Sequence, residues 1–175
     1  MSKIEFFPAR RVLAAGILAI STALPGWAAS LVSSETVYRH KQWEVIIAAY
    51  DDDTISCIAR VNKPGSAFAI WGHQSNPIQL QFWNDNWSFT PGREDIAVRV
   101  DRRARWDLSN AELTGKNVWF TLPAGDSTLR FLREIERGNN VALLSFNGKQ
   151  IDTWSLAGSS ATMSALADCI DALRS

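Results

Sequence analysis

Apolar and polar residues alternate with period two over much of this chain. From Gln42 to Ala49, Trp43, Val45, Ile47 and Ala49 alternate with Gln42 and Glu44, the pattern of a half-buried strand. Thr54–Val61 sets Ile55, Cys57, Ala59 and Val61 on one face. Ala67–Gly72 and Ile78–Trp83 continue the series, with Ile78, Leu80 and Phe82 pointing one way and Gln79, Gln81 and Trp83 the other. Asp95–Asp101 places Ile96, Val98 and Val100 inward and Ala97 and Arg99 outward; Asn117–Leu122 places Val118, Phe120 and Leu122 inward and Trp119 outward. Val141–Phe146 and Gln150–Leu156 flank Asn147-Gly148, a pair suited to the left-handed positions of a tight hairpin turn. Asp51–Asp53, Asn62–Gly65, Ser75–Pro77 and Asn84–Asn86 supply the remaining turns.

Two stretches change period. Asp126 or Ser127 is placed to cap a short helix running to about Arg137, with Leu129, Leu132 and Ile135 as its buried stripe and Gly138 as its stop. After Gly158, Ser159 is placed as the N-cap of a closing helix, because its hydroxyl can accept a free N–H of the first turn. Met163, Leu166, Ala167, Ile170 and Leu173 then form one apolar stripe. Short connections favour antiparallel pairing. The expected fold is mainly β: an antiparallel β-sandwich or flattened barrel of about eight or nine strands, with a short internal helix and a C-terminal helix.

The N-terminal pattern is of another kind. Lys3, Arg10 and Arg11 precede an uncharged apolar run from Val12 to Ala23, and Pro25, Gly26, Trp27 and Ala28 end it. This is the layout of a secretory signal. The run falls short of the roughly 20 apolar residues that span a bilayer. The expected organisation is a signal peptide over 1–28, a mobile lead-in over 29–40 and a single β-rich domain over 41–175, placed in the periplasm or outside the cell, with no transmembrane segment after cleavage. The chain holds 18 Lys plus Arg and 18 Asp plus Glu. Removing Lys3, Arg10, Arg11 and Glu5 leaves a slightly acidic domain with no global attraction for nucleic acid. The two cysteines, Cys57 and Cys169, have one possible pairing in an oxidising compartment. Cys169 borders the stripe of the closing helix, so a bond to Cys57 would clamp that helix to the sheet.

Catalytic patterns are missing from the sequence. His40 and His73 are the only histidines, and neither has a nucleophile motif nearby. Gly158-Ser159-Ser160 lacks the spacing and the following glycine of a nucleophile elbow. Two isolated histidines, with both cysteines expected to be oxidised, give no zinc set, and no glycine-rich phosphate loop is present. The three aspartates Asp51–Asp53 read as a solvated turn, since calcium needs oxygens from spaced positions. Arg102, Arg103 and Arg105 are a basic cluster, but Asp95, Asp101 and Asp107 lie close in sequence and favour a solvated, neutralised face. No cofactor and no metal is expected.

Eight tryptophans remain to be explained. Trp43, Trp106 and Trp154 fit the core. Trp71, Trp83 and Trp119 fall opposite the aliphatic residues of their strands, and Trp87 lies in the following turn. A tryptophan offers a large apolar plane and one donor, suited to a sugar ring or a protein partner. The expected arrangement packs one or two of these rings under a helix and leaves the rest near the Trp83–Trp87 turn as a contact patch.

The order of features resembles the invasion-associated locus B family of exported bacterial proteins. The residues that carry the likeness are Trp43-Glu44-Val45, Cys57-Ile58-Ala59, Ile96 to Asp101, Arg137-Gly138 and Ser155-Leu156-Ala157-Gly158 opening a helix rich in alanine and leucine. The resemblance implies a β-rich periplasmic or secreted protein without known catalysis, and it transfers no functional residue. The expected function is therefore a non-catalytic envelope protein that binds an envelope protein partner, the alternative being a carbohydrate-binding module using surface tryptophans.

Overall fold

The computed structural model describes residues 29–74 and 77–175. The signal read over 1–28, and Ser75 and Asn76 of one turn, lie outside the described residues. Ten strands form: β1 (Leu31–His40), β2 (Trp43–Tyr50), β3 (Ile55–Lys63), β4 (Ser66–His73), β5 (Gln79–Asn84), β6 (Phe89–Val100), β7 (Trp106–Gly115), β8 (Asn117–Thr121), β9 (Asn140–Ser145) and β10 (Gln150–Ser155). Helix α1 (Asp126–Arg137) lies between β8 and β9, and α2 (Ser159–Arg174) follows β10.

All ten strands belong to one antiparallel sheet, in the order β1-β2-β3-β4-β5-β8-β7-β6-β9-β10. The fold is mainly β, as the alternation predicts, with ten strands in place of eight or nine. The sheet curls without closing. Trp154 of β10 lies against Phe68 of β4 and Phe82 of β5, at ring separations of 6.1 and 5.5 Å. The Trp43 indole donates to the Ser155 carbonyl at 3.2 Å. The inner faces of the two halves thus share one core, with Val45, Phe68 and Leu80 from one side and Val98, Leu143 and Trp154 from the other. This is the sandwich-like packing of alternating strands, made from a single sheet.

Both helices pack on the inner side. Thr128, Phe131 and Ile135 are the buried face of α1, and Leu129 is 52% exposed. The expected Leu129–Leu132–Ile135 stripe is therefore rotated. Phe131 takes the central place because Trp106 meets it edge to face at 5.5 Å. On α2, Thr162, Met163, Leu166, Cys169 and Ile170 are buried, and Ala167 is exposed. Ile170 packs so close to β4 that a Cβ on Gly72 would stand 2.2 Å from its Cδ1. The Cys57–Cys169 disulfide joins α2 to β3 across a Cα–Cα distance of 6.1 Å.

Helix entry differs from the expectation at both N-termini. Gly125 and Gly158 occupy the N-cap positions, and neither helix has a side-chain cap. Gly158 sits at φ 103°, a left-handed conformation that glycine adopts without a Cβ penalty. Ser159 is the first residue of α2 and is 1% exposed. Its hydroxyl donates to the Ile135 carbonyl at 2.7 Å. It thereby satisfies an end carbonyl of α1 instead of an N–H of α2.

The stretch expected to be a mobile lead-in is strand β1, paired with β2 along its length from Leu31↔Tyr50 to His40↔Trp43.

Candidate functional site

Among the described residues, neither α1 nor α2 covers the outer face of β4, β5 and β8. Cross-strand register sets three rows there. Trp71, Gln79 and Thr121 stand in one row; Ala69, Gln81 and Trp119 in the next; Ala67, Trp83 and Asn117 in the third. Trp71 and Trp119 reach across β5 diagonally, and their rings meet edge to face at 5.2 Å. Both are half-buried. Beside Trp71 on the same face lies a small apolar cluster of Ile46, Ala48, Ile58 and Ala69, against which its ring packs.

Amide side chains fix the Trp71 ring. The Trp71 indole donates to Gln81 Oε1 at 3.0 Å, and Gln81 Nε2 donates to Asn117 Oδ1 at 2.8 Å. In the neighbouring row Gln79 Nε2 donates to Thr121 Oγ1 at 3.2 Å, and its Oε1 lies 3.2 Å from His73 Nε2. His73 Nδ1 lies 2.9 Å from Ser56 Oγ. A serine beside a histidine invites a catalytic reading. Ser56 is only 1% exposed, and the second ring nitrogen faces the Gln79 amide, not the orienting carboxylate that an activated serine needs. The pair holds His73 against Trp71, whose ring centroid is 6.4 Å away.

Trp119 separates two hollows. One, of about 190 Å³, is lined by Tyr50, Ser56, Trp71, His73, Gln79 and Trp119. The other, of about 530 Å³, runs from Trp119 and Gln79 toward Arg93, Asn110 and Glu112. Burial, with the charge of Asp52 second, pushes the Tyr50 phenol above its ordinary pKa, so it keeps its proton at the rim of the smaller hollow.

The four outward tryptophans divide differently from the expectation. Trp71 and Trp119 are together. Trp83 shares their face one row on, half-buried. Trp87 turns inward: it packs against the main core and lies 5.4 Å from the Phe89 ring. The Asn84 turn causes this, because the Asn84 carbonyl accepts the Trp87 N–H and its side chain accepts the Asn86 N–H. The centre of the aromatic group is therefore the Trp71–Trp119 pair and not the Trp83–Trp87 turn. Gln79, Gln81 and Asn117 complete the face. The signal for the glutamines is the same alternation that turns Trp83 outward, read for amides as well as rings.

Among the described residues, no group of His, Cys, Asp and Glu side chains is arranged to hold a metal ion. Among the same residues, no helix is long and apolar enough to cross a membrane.

Fold and face together define a class: an open, curled antiparallel sheet, clamped by one disulfide, that presents a pair of aromatic rings, one of them held by an amide. Comparison with protein-family models, with curated proteins and with solved structures finds no match to this chain.

Proposed function

We propose that the protein is a non-catalytic, exported module of the bacterial envelope, periplasmic or secreted, that binds an envelope protein partner through the outer face of β4, β5 and β8. The observation that carries this reading is the Trp71–Trp119 pair, held edge to face on a sheet surface that neither helix covers. Trp71, held by Gln81, loses little side-chain freedom on binding, and tryptophan is enriched among residues that dominate contact energy. The Cys57–Cys169 bond supports an oxidising compartment. The resemblance to the invasion-associated locus B family belongs to the same reading.

The amides favour a second reading. Gln79, Gln81 and Asn117 flank the rings with donors and acceptors, the combination that a neutral sugar uses for its hydroxyls and its apolar face. The test for both is Trp119→Ala and Trp71→Ala, each scored for melting temperature, for retention of a cross-linked envelope protein and for retention of neutral oligosaccharides. Loss of about 1–2 kcal/mol of binding with an unchanged melting temperature supports the face. Retention of protein or of sugar separates the two ligands. Unaltered binding of both, or hydrolysis of a cell-wall substrate that one carboxylate substitution abolishes, overturns the reading.

A further inference from the structure

A second surface lies on the other half of the sheet. On the outer side of β6, β9 and β10, Arg99 pairs in register with Ala142, and Ala142 with Thr153. The small alanine leaves a floor between two taller walls. The resulting groove, of about 570 Å³, is lined by Arg99, Asp101, Arg102, Asn139, Asn140, Gln150 and Thr153. Its volume is in the range of ligand sites.

The charges in this groove are not balanced. In sequence, Asp95, Asp101 and Asp107 offset the neighbouring arginines. In space Asp107 does so for Arg105, and Asp95 and Asp101 accept backbone N–H groups instead. Asp101 accepts the backbone N–H groups of Asn139 and Asn140 at 3.0 and 2.9 Å. Asp95 accepts the Asn110 N–H at 2.9 Å. Asp107 pairs with Arg105 at 2.8 Å. Arg99 is left with a buried Nε that has no hydrogen-bond partner. A guanidinium N–H removed from water without an acceptor is costly, and the same side chain lines the groove. Arg102 is exposed at the mouth.

We propose that this groove binds an acidic sugar, a uronate, with its carboxylate on Arg99 and Arg102. A guanidinium presents a planar fork that matches a carboxylate in two parallel bonds. The Asn139, Asn140 and Gln150 amides and the Thr153 hydroxyl offer both donors and acceptors, which suits ring hydroxyls. No aromatic ring lines the groove, so recognition rests on charge and hydrogen bonds, unlike that of the Trp71–Trp119 face. The two surfaces are independent, and failure of one leaves the other standing.

The test is calorimetric titration of the full chain, disulfide intact, with trigalacturonate, with its uncharged trigalactose counterpart and with inorganic phosphate. The expected result is binding of the uronate, weaker binding of phosphate and none of the neutral sugar. Arg99→Gln should lower uronate affinity at least tenfold, and Arg99→Lys should recover only part of it, because lysine keeps the charge and loses the fork. Arg102→Ala, at an exposed position, guards against a folding defect in the Arg99 variants and should weaken binding severalfold at an unchanged melting temperature. Absence of uronate binding to the unsubstituted chain overturns the proposal. So does neutral sugar or phosphate binding as tight as the uronate, or indifference of binding to both arginines.

Discussion

Ser66 shows how much one small side chain can hold. Its hydroxyl accepts the Trp154 indole N–H at 2.9 Å and donates to Asp152 Oδ2 at 2.8 Å. Asp152 also accepts from Asn84 Nδ2 at 2.9 Å and from Lys63 Nζ, and Lys63 lies 5.2 Å from the Trp154 ring. Four strands, β3, β4, β5 and β10, meet at this carboxylate. Ser66→Ala leaves a buried indole donor without a partner, and the expected loss is about 1–3 kcal/mol in urea unfolding. Burial acts to raise the Asp152 pKa, but hydrogen bonds from Lys63, Asn84 and Ser66 outweigh it and hold the pKa below the ordinary value. A carboxyl with a lower pKa in the folded chain contributes fully above its unfolded pKa of about 3.9 and loses that contribution as pH falls through the folded pKa. The melting temperature should therefore be level near neutrality and fall below about pH 4, with a shallower fall in Asp152→Asn. An equal fall in the variant would place the acid sensitivity elsewhere, Glu44 being the next carboxyl to examine. Its pKa also lies below the ordinary value: burial raises it, and Arg60, Arg39 and Asn62 more than reverse that.

At the scale of elements, legibility follows burial. Strands β2 to β5 each bury an inner face that alternation marks in the letters, and Ile46, Ala48, Ile58 and Ala69 on the other face of β2 to β4 are buried as well. Strand β1 buries none of its ten residues, because it forms an edge of the sheet, so no apolar period marks it. Strand β7 does have a core face, but Leu108 and Ala111 are three positions apart. Asn110 between them is at φ 63°, and the β6–β7 register slips at the same place. The bulge breaks the period and hides the strand. The first half of β6 is hidden by Thr90-Pro91, where the ladder also slips. The candidate face was half legible: alternation turned Trp71, Trp83 and Trp119 outward, while the inward course of Trp87 depends on turn hydrogen bonds that no periodicity encodes. The seating of α2 on β4 is likewise invisible in sequence and can be tested directly. Gly72→Ala forces its Cβ into Ile170, and overpacking of this kind costs about 1–3 kcal/mol. Pairing it with Ile170→Val should recover part of the lost melting temperature. A Gly72→Ala chain as stable as the unsubstituted one would show that α2 can shift away from the sheet freely.

For the whole molecule, the cystine is the longest-range covalent constraint, bridging a separation of 112 positions. Removing it with Cys57→Ser and Cys169→Ser together should lower stability by about 2–5 kcal/mol, read as a lower urea midpoint. The loss should be larger than for either packing change above, because the bond restricts the unfolded chain as well as anchoring α2. The same separation also sets an order in time. A chain emerging from its N-terminal side presents the Cys57 thiol long before Cys169 exists to meet it. Through that interval the chain has no second cysteine of its own, and the Cys57 of another unfinished chain is the cysteine of this protein that it can meet. Stalled or shortened chains should therefore collect as Cys57-linked pairs, visible on a non-reducing gel, and completed chains should not. For this protein, the moment of oxidation matters as much as its strength.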